Sequence, residues 1–525
     1  HTSWTLTEID FTDGPYLESN TTSTTLTPSG TSGNVNITAS ASLFAATDVG
    51  RLVSFSNGRA KITGFTSATV VAATVQDNFD NTNAVSNWKL GAFSGTTGHP
   101  STVSFFEQRL VFAGTTAEPQ TLYFSKSGDY ENMTSGTNAD DAMVYTIASN
   151  QVNKIRYLKA QRTLIVGTTG GEFTVSADGT DAAITPTNIV IKKQSSYGTA
   201  NVDAIPAGNS VLFLQKAKRK IRELSYNFDV DGYVAPDLTI LNDIVTKSGV
   251  NDMAYQQEPD SILWCVRDDG VFAGLTYQRS ENVIAWHRHK LGGTFGTGAS
   301  ATGFGVVESV ATISGELTED ELYVIVKRTI NGATKRYVEC FAPFDFDETV
   351  STDFRFLDSH LIYSGSSTTT LSGLSHLEGQ VVSILADGAT HADKTVSSGS
   401  ITLDRSVTSA VVGLKYDSVL QTMRVEGGSA QGTSQGKIKR ISKVVLRLFE
   451  TVGAKVGPSL TDLETVPFRT TSSPMGQPVS TLIAGDKQVE FRDDFNSDGF
   501  IFVKQDQPLP LSVLAIYPTL VTSDG

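Results

Sequence analysis

The chain has 525 residues, of which 39% are apolar and 18% charged, and its formal net charge is −14 at pH 7. Tight nucleic-acid binding needs clustered Lys and Arg that neutralise phosphates, so this acidic balance argues against it. The many Gly, Ser and Thr residues favour short strands and tight turns over helices, and no apolar run approaches the ~18 residues of a membrane span.

Residues 1–17 are predicted to form an N-terminal β segment that ends in the turn Asp13-Gly14-Pro15. The chain opens HTSWTLTEID, without a Met or a signal-peptide pattern. Because HTSWTLTEIDFTDGPY already has the pattern of a strand and a turn, we expect the chain to begin inside a longer one.

Residues 18–95 are predicted to form a small β-domain. Three runs alternate between apolar and polar residues, near Leu52–Phe55, Ala60–Thr63 and Thr69–Val75. Asn57-Gly58 separates the first two runs and is typical of a two-residue hairpin turn.

Residues 96–345 are predicted to form a β-propeller-like platform. About seventeen short strands follow one another after His99-Pro100, separated by turns every ~8–15 residues, which is typical of a sandwich, barrel or propeller. At about four strands per blade this segment provides four or five blades, although no WD or kelch repeat recurs. Residues 344–365 are interpreted as a crossover, and 346–525 as a C-terminal β-domain in which KVVLRLFETVG is a strand because of its β-branched content. The predicted fold class is therefore all-β.

The stretch LWCVRDDGVFAGLTYQRSENVIAWHRH (263–289) contains tryptophan, cysteine, histidine and charged residues, which are common in functional sites. Asp268-Asp269-Gly270 is a hairpin signal, and the flanking alternation predicts a three-stranded meander with stacked aromatic residues. His287 and His289 are two residues apart on a strand and therefore share a face. The pair either supplies two ligands to a metal ion, for which the sequence shows no third ligand, or caps an exposed face of the strand. We favour the second interpretation.

The segment DFNSDG (494–499) matches the first half of a calcium-binding loop. Asp494, Asn496 and Asp498 would supply oxygens and Gly499 the turn, but the twelfth position is Gln505, which has no charge, where a bidentate Glu is needed. A hairpin turn rich in Asp, Asn and Gly is the better interpretation.

No motif for nucleophilic, zinc, phosphate or dinucleotide chemistry is present. Cys265 and Cys340 lie outside any CxxC pattern and are interpreted as two buried thiols. We therefore predict no enzyme: no catalytic residue, no cofactor and no metal site.

Two basic runs are candidate interaction surfaces. In LQKAKRKIRELSY the side chains of Lys216, Lys218, Lys220 and Arg222 alternate along a predicted strand, with Arg219 on the other face. Such a stripe either meets a phosphate backbone or an acidic partner, or is a solvated face. In the weaker run KIKRISKVVLR the residues expected to share a face are Lys437, Lys439, Lys443 and Arg447.

The segment PSTVSFFEQRLVFAGTTAEPQTLYFSKSGDYENM (100–133) resembles the tail nozzle family of short-tailed phages, also called tail tubular protein B. Later segments agree with the family in order: RTLIVGTTGGEFTVSADG, the stretch from ITPTNIVIKK to YVAPDLT, the stretch 263–289, AVVGLKYDSVLQTM and KIKRISKVVLRL. The resemblance covers roughly residues 96–450. The segment DVGRLVSFSNG resembles a small module of such phage proteins named after the first catalytic-cysteine half-domain of ubiquitin-activating enzymes, but residues 18–95 contain no cysteine.

The resemblance implies a virion structural protein at the distal end of the tail, assembled in the host cytoplasm. Six copies would form a ring that joins an adaptor layer to fibres or spikes and gates DNA ejection, with genomic DNA passing through without specific binding. An acidic channel would repel the DNA backbone and let it slide. The segments 291–305 and 470–478 are either mobile loops that gate the channel or ordinary surface loops. The family has no catalytic residues to carry over.

The alternative is a β-propeller tail protein that binds or degrades glycans. Aromatic side chains would then stack on sugars, and the candidates are Trp88, Tyr130, Trp264 and Trp286. Trp264 and Trp286 lie in mid-strand, which is more typical of core residues.

Overall fold

The computed structural model describes residues 5–6, 10–149, 151–179, 182–315, 319–343, 352, 354–429, 432–468 and 482–523. These residues form strands, turns and five short 3-10 helices, at Ala46–Asp48, Phe228–Val230, Arg279–Glu281, Gly298–Ser300 and Ser375–Leu377. Within these ranges there is no α-helix, and so no helix that could cross a membrane. The chain divides into two compact units, residues 1–253 and 254–525.

The first unit begins with a six-stranded antiparallel sheet in the order β1-β2-β5-β4-β3-β6. Its strands are β1 Leu26–Pro28, β2 Asn34–Ala39, β3 Leu52–Phe55, β4 Gly58–Ser67, β5 Val70–Asp77 and β6 Trp88–Leu90. The sheet has a core of its own, in which the rings of Phe55 and Phe79 stack with centroids 4.3 Å apart.

The hairpin predicted at Asn57-Gly58 turns one residue earlier. Ser56 and Asn57 both have positive φ, 50° and 54°, and Phe55 pairs with Gly58. Positive φ at both central residues is the geometry of a type I′ hairpin turn. Gly58 is needed for close packing and not for the turn, because a Cβ there would lie 2.7 Å from the carbonyl oxygen of Asp77.

In the described residues between 102 and 340, nineteen strands follow and form four four-stranded sheets and one three-stranded sheet, each a meander of consecutive strands. Such sheets are the blades of a β-propeller. The strands of blades 1–3 are β7 Thr102–Phe106, β8 Arg109–Ala113, β9 Thr121–Phe124, β10 Met143–Thr146, β11 Ile155–Ala160, β12 Leu164–Thr168, β13 Gly171–Ala177, β14 Ile189–Lys193, β15 Ile205–Ala207, β16 Ser210–Leu214, β17 Ile221–Asn227 and β18 Gly232–Val234. Those of blades 4 and 5 are β19 Val250–Gln256, β20 Ile262–Arg267, β21 Phe272–Gln278, β22 Val283–His289, β23 Val306–Ile313, β24 Glu321–Ile330 and β25 Ala333–Cys340. The predicted all-β, propeller-like fold is confirmed.

The segment 100–133, which carries the family resemblance, builds most of blade 1. Arg109 is almost fully buried, and its guanidinium donates to the carbonyl oxygens of Ser125 (2.7 Å), Ala139 (2.6 Å) and Asp141 (2.7 Å). A buried guanidinium is stable only when its donors are satisfied. Arg109 therefore ties the turns of this blade together.

The stretch 263–289 forms three strands of blade 4, as predicted. Trp264 is buried and stacks on Phe272 with ring centroids 4.8 Å apart and an interplanar angle of 6°. Trp286 is only half-buried. The hairpin between β20 and β21 lies at Asp268–Gly270, where Gly270 has φ 78°.

The rest of the second unit contains four sheets, and the segment KVVLRLFETVG lies in the long strand β33, as predicted. One sheet has the order β26-β29-β27-β28, with strands Asp358–Ser372, Ser400–Leu414, Val381–Ala386 and Ala389–Thr395. A second has the order β30-β37-β34-β35, with strands Ser418–Gln421, Phe502–Gln505, Lys455–Ser459 and Asp462–Thr465. The others are β31-β32, with Gly428–Ser429 and Gly432–Thr433, and β36-β33-β38, with Ile483–Glu490, Ile438–Thr451 and Ser512–Ser523. Residues 344–351 and 353 of the predicted crossover lie outside the described residues, and residues 358–365 of it belong to β26.

Candidate functional site

A cleft of about 990 Å³ lies within the second unit. Its walls come from the end of β22, from β25, from the start of β26, and from two later segments, 416–419 and 505–511. Concave sites of this size that combine apolar and polar side chains are the usual places for small ligands.

One wall is held by a buried ion pair. Arg328 of β24 is fully buried, and its Nη1 and Nη2 bind Oε1 and Oε2 of Glu339 at 2.5 and 3.1 Å. Its Nε donates to the carbonyl oxygen of Gly292 at 2.7 Å. The Arg328 side chain therefore orients Glu339, which lines the cleft on β25.

The same glycine holds a second carboxyl group. The backbone N–H of Gly292 donates to Oδ2 of Asp358 at 2.6 Å. Burial raises the pKa of Asp358 to about 6, against the opposing effects of this hydrogen bond and of Arg328. The pKa of the neighbouring Tyr416 hydroxyl is raised by burial and by the charge of Asp358. Asp358 is thus the cleft carboxyl that can take up a proton near pH 6.

Two histidines of the cleft donate hydrogen bonds to backbone carbonyl groups. Nε2 of His376 lies 3.0 Å from the carbonyl oxygen of Ser359, and Nδ1 of His360 lies 3.0 Å from that of Leu357. A carbonyl oxygen only accepts, so each of these nitrogens carries the proton. Burial lowers the pKa of His360. Tyr337 donates to the carbonyl oxygen of His376 at 3.0 Å and packs edge-on against its ring.

The cleft therefore combines aromatic surfaces with hydrogen-bonding and charged side chains. Its aromatic side chains are Tyr337, Phe341, Phe356 and Tyr416. Aromatic faces with polar neighbours suit a ligand that has both apolar faces and hydroxyl groups. Within the described part of the chain, no three His, Cys, Asp or Glu side chains are placed to hold a metal ion.

This site was not predicted from the sequence. Its key groups, Gly292, Arg328, Glu339 and Asp358, are far apart in sequence and carry no motif. The detectable signal was a single charged residue at an inward position of a strand, Arg328, in the alternating run ELYVIVKRTI. Charged residues at such positions are rarely buried unless paired.

His287 and His289 do share a face, as predicted, but they do not cap an exposed surface. Nδ1 of His287 lies 2.7 Å from Nε2 of His289, and both rings pack against Trp264. Burial lowers the pKa of both rings, that of His289 to about 4. Gly274 makes room for the pair, because a Cβ there would lie 2.1 Å from the His287 ring. The two imidazoles are therefore part of the packing of blade 4.

The DFNSDG segment is a hydrogen-bonded turn. Oδ1 of Asn496 accepts from the backbone N–H groups of Asp498 and Gly499, both at 2.8 Å, and Asp498 binds Arg424 at 2.9 Å. Gln505 lies on β37, where its Nε2 donates to the carbonyl oxygens of Val452 and Gly453. These side chains are engaged within the protein.

The first basic run is not a stripe along a strand, and that prediction was wrong. Residues 215–220 form the turn between β16 and β17, with φ 61° at Lys218, and only Arg222 lies on a strand. Lys220 binds Asp237 at 2.8 Å. The Arg222 guanidinium lies 3.6 Å from the centroid of the Tyr197 ring. The Lys and Arg residues of a tight turn point in several directions, so alternation does not apply to them.

The basic side chains of the second run do not share one face of a strand either. Lys437 precedes β33, and Lys439 is fully buried beside Glu426 at 3.6 Å. Arg447 is exposed and binds Asp486. The pairing register shifts between Ile441 and Lys443, and such a bulge changes the side that later residues face.

Of the aromatic candidates for sugar stacking, Trp88 and Trp264 are buried and Tyr130 is exposed. Trp88 donates its Nε1 to the carbonyl oxygen of Thr24 at 2.9 Å. Cys265 is buried as predicted, but Cys340 is exposed at the end of β25. The gate candidate 470–478 lies outside the described residues. The segment 291–305 is crossed by backbone hydrogen bonds such as Gly305 to Leu291 at 2.8 Å.

No model of a known protein family matches this chain, and no curated protein matches it. The solved structures with some similarity include the β-propeller domain of Cps50 (Swd1) from Myceliophteria thermophila, at 8% identity over 55% of this chain and 85% of that chain, with a TM-score of 0.29. An auxiliary nutrient binding protein from Bacteroides thetaiotaomicron has 11% identity over 60% of this chain and 85% of that chain, with a TM-score of 0.25. The phage phi92 endosialidase has 12% identity over 80% of this chain and 60% of that chain, with a TM-score of 0.19. Similarities this weak carry no functional argument.

Proposed function

We propose that this chain is a structural subunit of the tail nozzle of a short-tailed phage. Copies of it form a ring around the DNA exit channel, between an adaptor layer and the fibres or spikes, and hold the channel closed until ejection. Its place is the distal end of the tail in the virion, and its role is assembly and gating without catalysis.

The observation that carries this proposal is where the resembling residues lie. The segment 100–133 supplies β7, β8, β9 and Arg109, whose buried guanidinium donates to the carbonyl oxygen of Ser125. The later resembling segments supply strands of blades 2–4 and parts of β29, β30 and β33. A resemblance carried by scaffold residues, in order along the chain, supports a shared architecture and a structural role.

The net charge of −14 supports the same proposal. A ring of acidic subunits repels the phosphates of passing DNA, so a genome slides without adhering. Basic groups are then expected at contacts between subunits, where they meet acidic neighbours.

The test is electron cryo-microscopy of phage particles that contain this chain, classified without imposed symmetry. A six-fold ring at the tail tip, with a channel wide enough for duplex DNA, is the expected result. A three-fold assembly, or a position on the side of the tail away from the channel, would overturn the proposal.

A second candidate function is glycan binding in the cleft of the second unit. It is favoured by the aromatic and polar lining around Tyr337, Tyr416 and His376. Asp358 adds a carboxyl group that is protonated in part near pH 6, as a hydrolytic acid would require. The test is calorimetric titration of the full chain with oligosaccharides of the host surface.

In that titration, Tyr416→Ala should abolish binding and Tyr130→Ala should leave it unchanged, because Tyr130 is an exposed aromatic outside the cleft. Equal loss in both variants, or no binding by the parent protein, would exclude this function. Release of reducing ends that disappears in Asp358→Asn would identify a hydrolase and would contradict a purely structural role.

A further inference from the structure

Blade 3 exposes apolar side chains at both ends of its strands. One end is formed by the turn 215–220 and the loop 237–249, and we call it the basic loop surface. The other end is the hairpin 226–234, which joins β17 to β18, and we call it the acidic hairpin. Seven residues of β17, at about 3.3 Å each, separate the two ends by roughly 20 Å.

The basic loop surface is held firmly although its tip is apolar. Thr246 is fully buried and donates to the carbonyl oxygen of Arg219 at 2.6 Å, and the N–H of Val250 donates to the carbonyl oxygen of Lys218 at 2.9 Å. On the N-terminal side of these anchors, three large aliphatic side chains face outward: Ile240, Leu241 and Ile244. Leu241 is 98% exposed. The loop is therefore ordered by its own contacts, and the aliphatic groups at its tip do not contribute to its folding.

The charge at this end is positive. The two segments contain five cations, Lys216, Lys218, Arg219, Lys220 and Lys247, against two carboxylates, Asp237 and Asp243. Lys216, Arg219 and Lys247 are exposed. A net charge of +3, from five minus two, contrasts with the net −14 of the whole chain.

The acidic hairpin shows the opposite charge beside a similar apolar tip. Phe228 is 86% exposed, and Val230 is exposed next to it. Asp229 and Asp231 alternate with these two residues, and the hairpin contains no cation. Arg162 is a nearby cation, because its charge acts on the Tyr226 hydroxyl, which donates to Asp231. Two carboxylates against one guanidinium leave this end negative.

The hairpin of blade 4 shows that the turn itself does not require apolar residues. It has the same single 3-10 turn, at Arg279–Glu281, and the same left-handed residue after it, Asn282 with φ 57°, where blade 3 has Asp231 with φ 46°. Its turn residues are Arg, Ser and Glu instead of Phe, Asp and Val. The Phe228 and Val230 side chains are therefore available for contact with another molecule.

We propose that the acidic hairpin of one copy of this chain docks on the basic loop surface of a second copy. Phe228 and Val230 would pack against Leu241 and Ile244, while Asp229 and Asp231 would meet Lys216 and Arg219. The two surfaces differ, so the contact is head-to-tail and repeats from subunit to subunit until a ring closes. This inference rests on the proposed role as a ring-forming subunit and names the contact that builds the ring.

The test uses the full chain and two variants that each damage one surface. Phe228→Asp with Val230→Asp places four negative charges on the hairpin, and Leu241→Asp with Ile244→Asp replaces the apolar tip of the loop. Ser280→Asp, in the exposed hairpin of blade 4, is the matched control. Mass is measured by light scattering after gel filtration and by native mass spectrometry, and folding by circular dichroism.

We expect the parent chain and the control to associate into species larger than a dimer, and each damaged variant to be monomeric at the same concentration. Mixing the two damaged variants should produce a dimer and nothing larger, because each retains one intact surface. The affinity of each damaged variant for itself should fall at least about tenfold, as for loss of a central apolar contact.

Three outcomes would overturn the inference. A parent ring that both variants still form would place the contact elsewhere and leave the proposed nozzle intact. A monomeric parent, with no dimer in the mixture, would contradict both proposals. Binding of anionic lipid vesicles by the basic loop surface, without self-association, would identify a membrane as the occupant. A dimer in the mixture together with an open filament of the parent would support the contact and contradict the nozzle.

Discussion

Arg328 and Glu339 bind each other through two parallel hydrogen bonds, with the guanidinium fully buried and the carboxylate at the edge of the cleft. Removing one partner of a buried pair leaves the other without compensation, which costs about 3–5 kcal/mol. Arg328→Ala should lower the stability of the second unit by this order, because the carbonyl group of Gly292 also loses its donor. Urea unfolding monitored by tryptophan fluorescence measures the change.

Arg336→Ala is the control for this change. Arg336 binds both oxygens of Glu308 from an exposed position on the same strand as Glu339. Solvent screens an exposed pair, so no measurable change is expected. Equal destabilisation by the two substitutions would show that the burial of Arg328 does not determine its contribution.

Two groups of the second unit should respond to acid in opposite directions. Folding lowers the pKa of His289 from its ordinary 6.5 to about 4. Between these values the unfolded chain binds a proton that the folded chain does not, so stability is lost as pH falls. Folding raises the pKa of Asp358 from 3.8 to about 6, so here the folded chain binds the proton first and stability is gained over the same range.

Melting temperatures of the parent and two variants across about pH 7 to 4 separate these effects. His289→Gln should lose less stability on acidification than the parent. The melting temperature of Asp358→Asn should be higher than that of the parent near pH 7, because the substitution removes a carboxylate that burial disfavours. This difference in melting temperature should disappear toward pH 4. Parallel curves for all three proteins would contradict the assignment of these groups.

Tyr157 lies over Gly167 within blade 2, and a Cβ at Gly167 would come within 2.1 Å of the tyrosine ring. The Tyr157 hydroxyl is fully buried and has no hydrogen-bond partner among the described residues. Tyr157→Phe removes this unsatisfied group and should be neutral or stabilise the fold by about 1–2 kcal/mol. Gly167→Ala overfills the site and should destabilise it by about 1–3 kcal/mol. Chemical denaturation of both variants checks the signs, and a destabilised Tyr157→Phe would reveal a partner for the hydroxyl.

Calcium should have no effect on the turn at 494–499. Its Asn496 side chain already accepts from two backbone N–H groups and donates to Asp493 at 2.9 Å. A calcium chelator should therefore leave the melting temperature unchanged. Asn496→Ala should lower stability by about 1 kcal/mol for each hydrogen bond lost. A rise in melting temperature on adding Ca²⁺, absent in Asp494→Ala, would contradict this interpretation.

Alternation of apolar and polar residues was enough to predict strands, meanders and the all-β class, because the two faces of a strand repeat every two residues whatever the partner. The same local rule placed His287 and His289 on one face and identified the hairpin at Gly270. It failed for Lys216 to Lys220, because a tight turn has no alternation.

Contacts between distant segments decided which face of each strand is buried in the interior. The long-range hydrogen bonds of Gly292 to Arg328 and Asp358, separated by 36 and 66 residues, created the cleft wall. The ring pair of His287 and His289 became buried only because Trp264 and Gly274 shaped the space around it. Sequence alone thus determined the strands and their turns through local periodicity. The cleft, the perturbed pKa values and the two oppositely charged ends of blade 3 were decided by tertiary structure, because burial and charge proximity arise only when distant residues meet.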